Sequence, residues 1–186
     1  MRNQSRVLSF YVVSLALILS SVALAQTDSA ENDQTKPESP VVLPAPVQKN
    51  NLLPFYVSPT TTMDFAVDAK SLSVTDEGIV RFTIVISNAS GASNISYEGI
   101  RCSTGEKKIY ATNQANGGWS LSRRDIWEPI IDRGANRHHA ALAKDYFCNS
   151  GFVDGKAEAI VDRLRKKKDR KSTRLNSSHL GISYAV

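Results

Sequence analysis

Cysteine and histidine are scarce in this chain, with two and three residues among 186. That excludes a cysteine-rich zinc module and a multi-disulfide scaffold. No P-loop, dinucleotide-binding glycine fingerprint or nucleophile elbow occurs, so the common signatures of nucleotide binding and serine hydrolysis are missing. There is no internal repeat. At 41% apolar and 22% charged residues, the chain is neither wholly disordered nor a multi-span membrane protein. Its length suits one domain.

The termini read differently from the middle. Arg2 and Arg6 precede an apolar stretch from Val7 to Leu19, and Ala23-Leu24-Ala25 supplies small residues at the expected cleavage positions. Residues 1–25 therefore read as a secretory signal peptide cut after Ala25, which implies a periplasmic or secreted bacterial protein with no stable membrane insertion after cleavage. Residues 26–50 lack aromatics and carry Pro37, Pro40, Pro44 and Pro46. Such a segment buries little apolar area and is expected to be a flexible, Pro-rich linker. At the other end, residues 169–179 match the translation of a common sequencing-library adapter. Leu180-Gly181 fits its index, and 182–186 fits the adapter stretch that follows. Residues 169–186 are expected to be non-native and are left out of fold reasoning.

The formal charge of +5 and the pI of 9.3 shrink accordingly. Between Gln26 and Lys168 there are 18 basic and 17 acidic residues, and five of the basic ones fall in Arg163–Lys168. A near-neutral domain with one basic helix end lacks the electrostatic footprint of a nucleic-acid binder.

The body, 51–168, is expected to be a single α+β domain. Residues 63–68 alternate through Phe65 and Val67, and 71–74 continue through Leu72 and Val74. Asp76-Glu77-Gly78 reads as a turn. Residues 79–86 form the strongest strand, with Val80, Phe82, Ile84 and Ile86 on one face and Arg81 and Thr83 on the other. Strands follow over 95–102 and 106–112, separated by the turn Ser103-Thr104-Gly105. Residues 120–134 read as a connection. A helix is expected over 136–147, with Asn136 as N-cap and Leu142, Ala143 and Tyr146 on one face. A second helix begins after a capping Asp154, with Ala157, Ile160, Val161 and Leu164 inward and an Asp162–Lys166 pair outside. The expected architecture is a four- or five-stranded antiparallel meander with two C-terminal helices on one face.

Cys102 and Cys148 are the only cysteines, and in an oxidising compartment they are expected to form a disulfide. His138 and His139 are adjacent. Successive helical side chains point about 100° apart, and Leu142 and Ala143 occupy the i+4 positions. The expectation is one packed and one solvated histidine, no metal site, no cofactor and no catalytic residue.

Several segments together resemble a known family. They are Tyr97-Glu-Gly-Ile-Arg-Cys102, Lys108-Ile-Tyr-Ala111, Gly118-Trp-Ser120, Trp127-Glu-Pro-Ile130, Asn136-Arg-His-His139 and Tyr146-Phe-Cys148. This pattern resembles the cryptic-neisserial-protein-like (CNP-one-like) domain of small exported bacterial proteins, over about Phe55 to Leu164. The resemblance implies an envelope location and one domain, and it carries no established activity. The favoured function is a non-catalytic binding or structural module whose partner is an envelope protein, glycan or polymer. Its candidate binding residues are Tyr97, Arg101, Tyr110, Trp119, Trp127, His138 and His139. The alternative is a periplasmic enzyme or metal carrier using His138 and His139 with Arg101 and Asp145.

Overall fold

Alternating apolar side chains must share one face of a strand, and here they build a sheet with two different faces. The protein is described by a computed structural model over residues 37–114 and 117–166. The signal-peptide and adapter-like segments lie outside these residues. Nine strands are present among the described residues: β1 (Leu52–Phe55), β2 (Asp64–Val74), β3 (Ile79–Ser87), β4 (Ser93–Arg101), β5 (Glu106–Asn113), β6 (Trp119–Leu121), β7 (Glu128–Pro129), β8 (Cys148–Asn149) and β9 (Phe152–Val153). The first seven form one antiparallel sheet in the order β1-β2-β3-β4-β5-β6, with β7 also on β5, and β8–β9 is a separate hairpin.

The sheet thus exceeds the four or five strands expected. The meander from β2 to β5 lies where the alternation put it. The additions are edge strands. β1 contains Pro54, which an edge tolerates because one side of its backbone has no ladder partner. β6 and β7 are three and two residues long, too short for alternation to register; β7 and all of β6 but Trp119 lie within the 120–134 segment expected to be a connection. Gly78, at φ +76°, makes the β2–β3 turn with its amide on Thr75 O.

One sheet face carries Phe65, Val67, Val80, Phe82, Ile84 and Ile100. Two helices cover it. The first, α1 (Arg137–Leu142), follows a 3-10 turn at Gly134–Asn136 and continues as a π-helical turn over Ala143–Phe147. The second, α2, spans 157–166. Leu142, Phe147, Ile160 and Leu164 are fully buried against the sheet, and Phe147 meets Phe82 edge to face at 5.0 Å. Fully burying one such side chain contributes about 1.5–3 kcal/mol. The wider π turn brings consecutive Tyr146 and Phe147 both inward. The expected local contacts at Asn136 and Asp162 differ. The Asn136 side chain makes no capping bond, because a 3-10 turn already precedes the helix. Asp154 pairs with Arg163 at 2.8 Å, and Asp162 faces Arg165 rather than Lys166.

The opposite face is equally closed. Arg81 and Thr83 are buried there, because residues 38–44 lie across it as an extended strap. Arg81 donates to Ser39 O at 2.5 Å, to Pro40 O at 3.0 Å and to Glu38 at 3.1 Å. Tyr110 Oη donates to Glu38 at 2.6 Å, and Trp119 Nε1 donates to Pro44 O at 2.9 Å. The flexible linker expected over 26–50 is therefore not what 38–44 forms. Its prolines suit an extended path, and its carbonyls and Glu38 answer buried cations that need acceptors. Residues 26–36 of that segment lie outside the described ones.

Cys102 and Cys148 are joined, with Cα atoms 5.6 Å apart, linking the end of β4 to the end of the π turn. Closing a 46-residue separation restricts the unfolded chain by about 4 kcal/mol in the entropy model. Cys148→Ala is expected to lower stability by about 2–5 kcal/mol. Denaturant titration of oxidised protein and variant measures this, and an unchanged midpoint would contradict it.

Candidate functional site

Strand parity decides what lies beneath α1. In β4, Ile100 faces the helices, so Glu98 and Ser96 face them too. Glu98 stands in register between Phe82 on β3 and Ile109 on β5, and is 3% exposed. An ionised carboxylate in such a layer costs several kcal/mol unless it is paired and hydrogen-bonded. Ser96 Oγ donates to Glu98 Oε1 at 2.5 Å, and His139 Nε2 lies 2.6 Å from Oε2. Burial pushes the Glu98 carboxyl upward. The hydrogen bond and charge of His139, the Ser96 hydroxyl and the Coulombic pull of His138 outweigh it, so the net shift is downward. Both carboxylate oxygens therefore have a side-chain hydrogen-bond partner, Ser96 Oγ on Oε1 and His139 Nε2 on Oε2.

His138 and His139 are both buried, at 5% and 3% exposure. The expectation of one packed and one solvated histidine does not hold. The angle between them is taken up by the breadth of the sheet. His138 stacks on Phe65 of β2 at 5.3 Å, while His139 reaches Glu98 of β4. Their ring centroids are 3.9 Å apart. The carboxylate that α1 lacks at i+4 comes from a strand 41 residues away in sequence. One donor atom from each of Glu98, His138 and His139 lies within 4.8 Å of the others. Nδ1 of His139 is buried and has no hydrogen-bond partner among the described residues. An unsatisfied buried polar atom of this kind costs about 1–3 kcal/mol.

The cluster faces a cavity of about 720 Å³. Ser58, Thr60, Thr61 and Thr112 bring hydroxyls to it, Asn94 and Asn136 bring amides, and Met63, Phe65, Ile86 and Ile109 supply apolar wall. Lys107 also lines it and is held by Glu128 at 2.7 Å. That lysine keeps the Glu128 carboxyl below the ordinary range, with smaller contributions from Arg124 and then His139. Convergent polar groups on a part-apolar concave wall are the usual form of a small-ligand site. A smaller hollow of about 340 Å³ between β1–β2 and α2 holds no comparable buried cluster.

The other candidate residues lie elsewhere. Tyr97, Tyr110 and Trp119 pack together beneath the strap, with centroids 5.6 and 6.3 Å from Tyr97. Arg101 lies 4.1 Å over the Trp127 ring and pairs with Glu106. Asp145 is exposed on the π turn. The structure therefore unites His138 with His139 and leaves Arg101 and Asp145 apart from them. Sequence reasoning missed Glu98 as a site residue. The available signal was its parity with Ile100, which puts an acid on the core side of a strand.

Among family models, the one described as the CNP1-like family matches residues 31–165. No curated protein sequence and no solved structure gives a significant match. The matched span takes in the strap as well as the sheet and both helices.

His139→Ala leaves the Glu98 charge buried without its main partner and is expected to cost about 3–5 kcal/mol. The double change Glu98→Leu with His139→Leu removes the charge together with its partner, and should recover most of that loss. Equal destabilisation by the single and double variants in denaturant titrations would refute the pairing. Acid dependence gives a second check. Glu38, Glu77 and Glu98 all have lowered folded-state values. Their contribution is complete above the unfolded carboxylate value of about 4.3 and is lost as pH falls through the folded values. The thermal midpoint should hold from pH 7 to about 5 and fall below about pH 4. A midpoint constant down to pH 3 would contradict this.

Proposed function

The chain belongs to the CNP1-like family, and from that premise we propose that it is an exported envelope protein acting as a non-catalytic binding module. Its ligand is a small polar molecule, or the polar end of an envelope glycan or polymer, taken into the cavity above Glu98, His138 and His139. One observation carries this reading: a paired carboxylate and two histidines, all buried, form part of the wall of a 720 Å³ cavity. Buried charge is costly, and a core made only for stability does better with apolar side chains of similar volume. Export is supported by the three-part pattern of residues 1–25 and by the disulfide. Among the described residues no helix is long and apolar enough to cross a membrane.

A second reading, a periplasmic enzyme using the histidines, draws on the Glu98–His139 bond, since a carboxylate that fixes an imidazole is also how a general base is oriented. It loses the Arg101 and Asp145 roles first considered for it, because neither residue lies at the cavity.

The test is a thermal-shift assay with the low-molecular-weight fraction of an envelope extract. A ligand at a hundred times its Kd stabilises by about 2.7 kcal/mol, or roughly 5–15 °C for a domain of this size. The wild-type protein should show a shift of this order. Thr112→Trp, which puts bulk at an exposed part of the wall, should abolish it. No shift in the wild type, or the same shift in both proteins, would overturn the reading.

A further inference from the structure

We infer that Glu98, His138 and His139 bind one divalent transition-metal ion of the zinc class, with its remaining coordination position open to the cavity. The inference deepens the binding-module reading and rests on it, since the metal would be the anchor on which a small polar ligand is held. The donor set is two imidazoles and one carboxylate, which suits zinc and its borderline neighbours rather than calcium or magnesium. Three protein ligands with an open fourth position are the arrangement that accepts an exchangeable ligand.

The spacing is compatible with this. Metal–ligand bonds of about 2.0–2.2 Å put tetrahedral neighbours roughly 3.3–3.6 Å apart. The three donors lie within 4.8 Å of one another, and the His139–Glu98 pair is at 2.6 Å. Side-chain rotations of about 1 Å would draw the wider pairs in and open the closer one. The outer partners of a metal site are also in place: Ser96 Oγ holds the second carboxylate oxygen, and the His138 ring is set by Phe65. The ligands come from β4 and α1, and Cys102–Cys148 ties the end of β4 to the end of the π turn that continues α1, which limits how far the donor elements can separate.

The full chain, purified without an affinity tag and stripped with chelator, should be titrated with Zn²⁺ against a chromogenic chelator, and with Co²⁺ for its visible absorption. One equivalent of Zn²⁺ should bind, and Co²⁺ should give the intense bands of a four-coordinate site. His138→Phe keeps a ring against Phe65 while removing a ligand, and should weaken binding by about 100-fold or more. Glu98→Gln should also weaken it, and circular dichroism would report whether that variant folds. His179 is the only other histidine, and His179→Ala should leave binding unchanged. Folded wild-type protein that takes up no stoichiometric metal would overturn the inference. So would saturation that survives His138→Phe or disappears with His179→Ala. A metal failure alongside an extract-induced shift that Thr112→Trp abolishes would sink the metal and leave the binding module standing. Loss of both would sink both.

Discussion

Glu98 is a carboxylate placed by strand parity into the apolar layer between the sheet and the helices, and what packs above it has to answer its charge. Phe82 and Ile109 flank it and offer no hydrogen bond. The strand itself contributes Ser96, two residues away on the same face. The remaining oxygen needs a donor from the covering layer, and α1 supplies His139. That requirement fixes which face of a six-residue helix points down. With His139 over β4, the preceding residue turns toward β2, where Phe65 provides a flat surface for the His138 ring. Leu142, one turn on, then falls into the apolar part of the core. The placement of α1 thus follows from one buried charge as much as from apolar area.

The same logic operates on the other side of the sheet. Arg81 shares β3 with Phe82 and Ile84, and opposite parity puts it beneath the strap. Its guanidinium is met by Glu38 and two strap carbonyls, with Glu77 at 3.8 Å and the Tyr110 ring beneath. Lys108 joins through Glu38 and Asp125. Burial pushes the Tyr110 hydroxyl upward, and its bond to Glu38 pushes it further, so it stays a donor. Tyr110 also crosses Gly99 so closely that a Cβ there would lie 2.7 Å from its oxygen. Glycine is what lets the ring reach Glu38. Polar networks below both faces make the sheet a partition between a strapped side and a cavity side. Among the described residues, buried side-chain atoms without a hydrogen-bond partner occur on both sides: Arg81 Nε and Thr83 Oγ1 under the strap, and His139 Nδ1 toward the helices.

Period-2 alternation made β2 to β5 legible, and period-3.6 spacing made α2 legible, because each buries one regular apolar face. The short edge strands were not legible, since two or three residues carry no period and Pro54 argues locally against a strand. The strap was hidden by composition: a proline-rich segment without aromatics reads as linker, and only the buried Arg81 shows what it is for. At the site, the histidine pair stood out in the sequence and its convergence did not. The angle between neighbouring helical side chains is a local rule. Whether both are covered depends on the width of the surface below, which is tertiary information. Glu98 could be read as inward from parity alone, but its partner lies 41 residues on, beyond any local pattern.

The disulfide connects these layers. Cys102 follows Glu98 by four residues, and Cys148 follows His139 by nine. The bond therefore joins the strand that carries the acid to the segment that carries the base, at the ends of both elements. The π turn between His139 and Cys148 adds its own constraint. It directs Tyr146 and Phe147 into the core in succession, and Arg163 of α2 holds the Tyr146 carbonyl. Without the cross-link, α1 would be held over Glu98 only by packing and the His139–Glu98 bond, and a helix of six residues has little intrinsic stability of its own. With it, the two chain segments that make the His139–Glu98 contact are tied four and nine residues away, which limits how far α1 can move from β4. The cross-link, the π turn and the paired charge thus all act on the placement of one short helix over Glu98.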